Sequence, residues 1–242
     1  MMETSRQWQL AEKGARQYEA VLVPYILGPA AGALVRFAAP AGCTRILDAG
    51  CGTGAAARFA AEECGGQGAG LGVDVNPGMI AVARQEDPHN RVEWHQANLG
   101  QLPFESQAFD LILCAQVLQF LPEKVGALNE MRRVLGPSGR FCVSLWAPLA
   151  QSPYFRALVE AMARHIGPET ASGLASAFAL SEQGEIEKLL EEGGFAVSDW
   201  QTVDLNLALP DPGEFVPIHV AATPMANGFL SAPPGNRRLV VE

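Results

Sequence analysis

With 242 residues, 48% of them hydrophobic and 18% charged, the chain is long enough to bury a full core and too apolar to be disordered. A formal net charge of −9 and a pI of about 5.0 argue against a polyanionic partner such as nucleic acid. No secretory pattern opens the sequence, no apolar run of about 18 residues signals a membrane span, and five scattered cysteines without metal spacing suit reduced thiols in a cytoplasm.

Trp8, Ala11, Ala15, Tyr18 and Leu22 recur at helical steps and predict an amphipathic N-terminal helix. Strands are then expected near 45–49, 70–75, 91–95, 109–114 and 140–146, with helices near 54–64, 78–86, 123–135 and 182–192. Such alternation implies an α/β fold with a mostly parallel sheet covered by helices on both faces. Asn76-Pro77 reads as a helix cap followed by a first-turn proline, and Gly136-Pro137-Ser138-Gly139 as a stop and turn. Residues 148–180 fall outside the alternation and carry Tyr154, Phe155, Met162, His165 and Phe178. Phe195 to Leu207 reads as a further strand, and 210–236 is rich in proline and glycine.

The chemistry concentrates at Leu47-Asp48-Ala49-Gly50-Cys51-Gly52-Thr53-Gly54, between the first strand and an alanine-rich helix. A glycine-rich turn in that context lets a nucleotide-like ligand approach the backbone without meeting a Cβ. Gly50-x-Gly52-x-x-Ala55 also satisfies the dinucleotide pattern, which would make the chain an NAD-type oxidoreductase. Charge separates the two. A pyrophosphate at the helix N-terminus would be repelled by Asp48, whereas S-adenosylmethionine brings an ammonium and a sulfonium to the same place. A turn with no ligand is the bland alternative. Asp74, twenty residues beyond Gly54, suits the two hydroxyls of a ribose in either ligand, or simply caps the following helix. Val75 and Met79 are placed to pack an adenine, although core packing serves equally for Met79.

The segment DAGCGTG resembles the first motif of the class I S-adenosylmethionine-dependent methyltransferases. The similarity continues through about Ile46 to Trp146, and is strongest to the small-molecule branch that includes the ubiquinone and menaquinone biosynthesis C-methyltransferases. The resemblance implies a Rossmann-like, doubly wound sheet with an N-terminal helical lid. It also implies S-adenosyl-L-methionine as cofactor and a small-molecule methyl acceptor, with no nucleic acid. Cofactor contacts then fall on Tyr18, Asp48, Gly50, Cys51, Gly52, Gly54, Asp74, Val75, Met79, Ala97, Asn98, Leu99, Ala115 and Gln116. Asn98 stands where the family usually has an acid, and its carbonyl can still accept from the adenine amino group, without charge assistance. Cys114 to Pro122 is not the Asn/Asp-Pro-Pro-aromatic loop of DNA-base methylases. Gln119 reads as an exposed helix-entry amide or as a site residue.

One methyltransferase domain over 1–242 is expected: a lid at 1–40, a cofactor-binding core at 41–147 and a cap insertion at 148–180. Residues 181–242 would form the C-terminal part of the sheet, ending short of the family's last strand or serving a homodimer or substrate cover. Methyl transfer from a sulfonium needs mainly alignment in a dry site, so catalytic residues stay unassigned and no metal is required. His165 and His219 are candidate bases, a lone histidine being more often structural. The remaining alternative is a non-catalytic S-adenosylmethionine-binding module.

Overall fold

The computed structural model describes residues 12–65 and 69–242, so the expected helix positions Trp8 and Ala11 lie outside the described residues. Its centre is a five-stranded sheet in the order β3-β2-β1-β4-β5, built from β1 (Arg45–Ala49), β2 (Ala69–Asp74), β3 (Val92–Gln96), β4 (Phe109–Ala115) and β5 (Leu135–Ser144). Every pairing is parallel. The chain winds outward from β1 to β3, then returns to the other side of β1 for β4 and β5. The strand order therefore reverses between β1 and β4, where open α/β sheets form a crevice at the strands' carboxyl ends.

Period-two side-chain alternation assigns the two faces. Ile46, Leu111 and Leu113 pack under α2 (Gly28–Ala38) and α3 (Ala55–Glu63) with Ala31, Leu34, Ala56 and Ala60. Leu47, Leu71 and Ile112 pack on the opposite face under α5 (Lys124–Val134) and α8 (Gln183–Glu192). A fifth sheet helix, α4 (Pro77–Gln85), begins as expected: Asn76 Oδ1 accepts from Gly78 N at 2.8 Å and Pro77 opens the first turn.

Upstream, α1 (Glu12–Leu22) runs through a π-turn at Val23–Leu27 into α2. The result is one helical stretch, Glu12–Ala38, which is long and apolar enough to cross a membrane by length and composition. The expectation of no such stretch is corrected on that count. Half of its most apolar window is buried in this fold, with Ala15, Leu22, Ile26 and Leu34 turned inward, so packing accounts for its composition.

Two expectations about the C-terminal half also change. Leu135 already pairs with Phe109, and the next pair is Leu111 with Arg140. The Gly136–Gly139 turn is thus a looped excursion inside β5 and not a break before it. Phe195 to Leu207 carries no regular secondary structure, and Val197, Trp200 and Val203 stay exposed. Residues 181–242 accordingly add α8 and the Phe195 side chain, which lies 4.7 Å from the Phe141 ring of β5, against the sheet and contribute no strand among the described residues. The rest turns away into α9 (Pro212–Ala221), α10 (Ala226–Leu230) and α11 (Pro234–Leu239). There Val216, Val220, Met225 and Phe229 close on Leu158, Met162 and Leu174 of α6 (Pro153–His165) and α7 (Pro168–Ala175). The cap is therefore made from both 153–178 and 212–241, and its own small core replaces the expected sheet completion.

Phe229 is 2% exposed at the middle of that core. Phe229→Ala is expected to cost about 3–5 kcal/mol in chemical denaturation. A change below about 0.5 kcal/mol, typical of a surface position, would show that the C-terminal segment does not pack as a cap.

Candidate ligand-binding site

The crevice is floored by the turn that leaves β1. Gly50 N and Cys51 N both donate to Val73 O at 2.8 Å, which pins the turn to β2. Gly50, Gly52 and Gly54 have φ of 79°, 54° and 91°, the left-handed region that favours glycine. The three glycines serve different ends. A Cβ on Gly50 would lie 2.6 Å from Val117 Cγ2, and one on Gly54 would overlap the Trp94 ring. Their missing side chains are filled by the protein itself. A Cβ on Gly52 would meet nothing nearer than Tyr18 Oη at 3.7 Å. Gly52 is the one glycine of the three whose open face is available to a ligand.

Beneath the turn, Asp48 is 1% exposed. Its Oδ2 accepts from Ala57 N at 3.0 Å, and its Oδ1 is buried with no partner among the described residues. Burial pushes the carboxyl up to about 7, a rise that the nearby Asp74 reinforces and the Ala57 amide and Arg58 oppose. The first turn of α3 is therefore already hydrogen-bonded to the protein's own carboxyl, where a pyrophosphate would otherwise sit. Asp74 ends β2 with Oδ2 on Gly52 N at 2.9 Å and Oδ1 on Asn76 N at 2.8 Å. Burial raises its pKa, and these amides hold it back. The Val75 amide also bears on this carboxylate, so three backbone amides surround it.

Tyr18 of α1 covers the turn. Burial raises the pKa of its phenol, and Asp74, Glu19 and Asp48 add to the rise. The field here is that of carboxylates. Arg58 does not offset it as a free cation, because Nη1 donates to Thr53 O at 2.5 Å and Nη2 pairs with Glu19 at 2.9 Å. This half-buried bridge ties the N-terminal helix to the turn. It was not legible in advance, since Arg58 and Glu19 lie 39 residues apart with no motif joining them.

The other residues divide into rim and core. Val75 is 50% exposed and Ala97 is half-buried, its N–H on Asp74 O at 3.0 Å, so both reach the crevice. Asn98 is exposed, but its Oδ1 already accepts from Gly100 N at 2.9 Å, a local turn bond that competes with an adenine contact. Met79 packs with Ala15, Val82 and Tyr18, and Leu99 belongs to the sheet core. Cys51 is buried beside Trp94. Ala115 ends β4, and Gln116 follows with φ 60°, its N–H on Ser144 O and its Oε1 accepting from Gln119 Nε2 at 3.3 Å. Gln119 is 7% exposed, so it is not the exposed amide of the bland reading. Among the described residues no cluster of histidine, cysteine or acidic side chains could hold a metal ion.

Fold and site together define an α/β protein whose switch point is lined by a glycine backbone and buried carboxylates. Comparison with known proteins makes this specific. A family model described as a methyltransferase domain matches residues 47–143. The demethylmenaquinone methyltransferase of Tropheryma whipplei is 30% identical over 184 residues, covering 69% of this chain and 74% of that protein. The aklanonic acid methyltransferase DauC of Streptomyces is 35% identical over 127 residues, 51% of this chain and 54% of that one. A SAM-dependent methyltransferase from Aquifex aeolicus shares the fold with a TM-score of 0.58 and 19% identity, over 78% of this chain and 91% of the other. The chain belongs to the class I S-adenosylmethionine-dependent methyltransferases. It spans about half the length of several curated relatives that it matches.

The residues present fit that family's cofactor: an unpartnered buried carboxylate oxygen suits a cationic group, and the bare face of Gly52 admits close approach. Gly54→Ala is expected to destabilise the protein by more than 2 kcal/mol in denaturation, through overlap with Trp94 and a strained φ. Gly52→Ala should cost only about 1 kcal/mol but weaken binding of S-adenosylhomocysteine at least tenfold. Equal effects of both substitutions on both measurements would refute this division of labour.

Proposed function

We propose that the protein transfers the methyl group of S-adenosyl-L-methionine to a small organic acceptor. The observation that carries this reading is Asp48, buried with one oxygen unpartnered and with the other already on the α3 N-terminus. That arrangement favours a cation over a phosphate. When bound, the cofactor supplies an electrophilic methyl group on a positively charged sulfur. Asp48 would hold the ammonium of the amino-acid end, and Asp74 would take the ribose hydroxyls. Val75 would lie along the adenine, and Ala97, Asn98 and Leu99 would border its edge. Tyr18, held down through the Glu19–Arg58 bridge, would cover the methionine portion and exclude water. Ala115 and Gln116, at the end of β4, would face the methyl group and the acceptor.

Names of relatives support the acceptor class. Aklanonic acid and demethylmenaquinone, given in two of them, are both small molecules. We further propose that 12–38, the sheet and the two-part cap act as one domain, with the acceptor bound between the N-terminal helix and the cap. The NAD-type alternative is disfavoured by the Asp48–Ala57 bond, which fills the anion site.

Calorimetry tests the reading. S-adenosylhomocysteine is expected to bind with a micromolar-scale Kd, and Asp74→Ala to abolish binding while the protein keeps its melting transition. NADH binding, or unchanged binding of S-adenosylhomocysteine in the variant, would contradict the assignment. With binding established, incubation with methyl-labelled cofactor and a metabolite extract should move label to a small molecule. Absence of transfer with every extract would favour the non-catalytic binding module.

A further inference from the structure

Next to the cofactor crevice lies a cluster of aromatic side chains drawn from three distant parts of the chain. Tyr25 comes from the N-terminal helical stretch, Trp146 follows β5, Tyr154 and Phe155 open α6, and Phe215 and His219 lie on α9. Their rings meet edge-on or tilted: Trp146 to Phe155 at 5.5 Å, Tyr154 to Phe155 at 5.2 Å, and Tyr25 to Phe215 at 5.3 Å between centroids. Tyr18, which borders Gly52, packs against the same cluster. The cluster is thus continuous with the cofactor turn. Tyr25, Trp146, Tyr154 and Phe155 are only half-buried, so part of each ring remains accessible. Ser144 ends β5 two residues before Trp146, and its Oγ is buried without a partner among the described residues.

One polar pair sits inside this apolar wall. Tyr154 Oη and His219 Nδ1 are 2.5 Å apart, and their rings stack with 21° between planes. His219 is 3% exposed and burial holds its pKa down at about 4, so the imidazole is neutral at physiological pH. Burial also raises the pKa of Tyr154, so its phenol keeps its proton. Either group can be the donor in this pair, and the tautomer in which the phenol donates is the one that frees a ring N–H. Donation from Tyr154 to Nδ1 leaves the imidazole proton on Nε2. No protein partner is seen for Nε2 among the described residues.

We propose that His219 is a positioning residue for the methyl acceptor: its Nε2–H, fixed in that tautomer by Tyr154, donates to an oxygen of a planar apolar molecule lying on the accessible aromatic rings. This rests on the methyltransferase reading and adds to it. It assigns the acceptor's polar contact to a C-terminal helix, outside the residues that match the family model. It also gives the histidine the role of donor and not of base. A buried neutral imidazole whose free nitrogen carries a proton cannot remove one from the acceptor at that atom.

Two measurements decide the matter. In ¹⁵N spectra of histidine-labelled wild-type protein, the His219 ring is expected to show a protonated Nε2 and a bare Nδ1, and Tyr154→Phe to disturb that pattern. For the contact itself, protein saturated with S-adenosylhomocysteine is titrated with 2-naphthol and with 2-methylnaphthalene, which lacks the oxygen, following tryptophan fluorescence. Wild type should prefer 2-naphthol at least tenfold. His219→Phe should bring the ratio close to one, and His219→Gln, whose Nε2 can still donate, should keep a severalfold preference. A proton on Nδ1, a ratio near one in wild type, or an unchanged ratio in His219→Phe would overturn the proposal. If His219→Phe does not fold, the wild-type spectrum and the His219→Gln titration still decide it. Wild type that fails to bind S-adenosylhomocysteine would defeat the methyltransferase reading. Binding of S-adenosylhomocysteine without oxygen preference would defeat this proposal alone.

Discussion

A carboxylate buried under a glycine turn is costly, and the rest of the site is arranged around that cost. Asp48 has one backbone amide on one oxygen and no partner on the other among the described residues, and the side chain is buried. Its pKa is higher in the folded chain, about 7 against an ordinary 3.8, so the folded protein holds the proton more tightly than the unfolded one. Stability of the ligand-free protein from this group is therefore greatest at low pH and declines as pH rises from about 4 to about 7. A cationic ligand reverses the penalty by giving the charge a partner.

Everything nearby serves to keep that carboxylate dry and the ligand close. Gly50 and Gly54 let Val117 and Trp94 close against the turn, which fixes its shape, while Gly52 presents bare backbone. The Glu19–Arg58 bridge and Arg58's bond to Thr53 O clamp the N-terminal helix over it and bring Tyr18 to the opening. Asp74 holds the turn through Gly52 N. One carboxylate shapes the floor, the other joins the floor to the wall.

The parallel sheet and the first half of the site were legible in the sequence because they are local. Alternating apolar runs, Asn76-Pro77 at a helix start, and an acid at the tip of each of two strands are all contained in short segments. What escaped depends on distant partners. Gly54 read as a ligand contact, yet its open side is filled by Trp94, forty residues on. Gln119 read as an exposed amide or a site residue, and it is buried. The C-terminal half misled for a different reason. Phe195 to Leu207 has strand-like residues but no neighbour to pair with, and the Pro-rich stretch after it looked like loop. Two of its prolines, Pro212 and Pro234, stand at helix first turns: Asp211-Pro212 repeats the Asn76-Pro77 signature, with Asp211 Oδ1 capping Gly213 N at 2.8 Å. That signal was present and would have revealed the helix that carries His219.

The central claim is that Asp48 waits with a raised pKa for a positive charge. Carboxyl ¹³C chemical shifts of Asp48, followed by pH titration with and without S-adenosylhomocysteine, measure this directly. The ligand-free protein should titrate near 7, and the complex should keep Asp48 ionised down into the ordinary carboxylate range below about 4. An Asp48 that titrates near 4 without ligand, or that stays near 7 when the ligand is bound, would contradict the account.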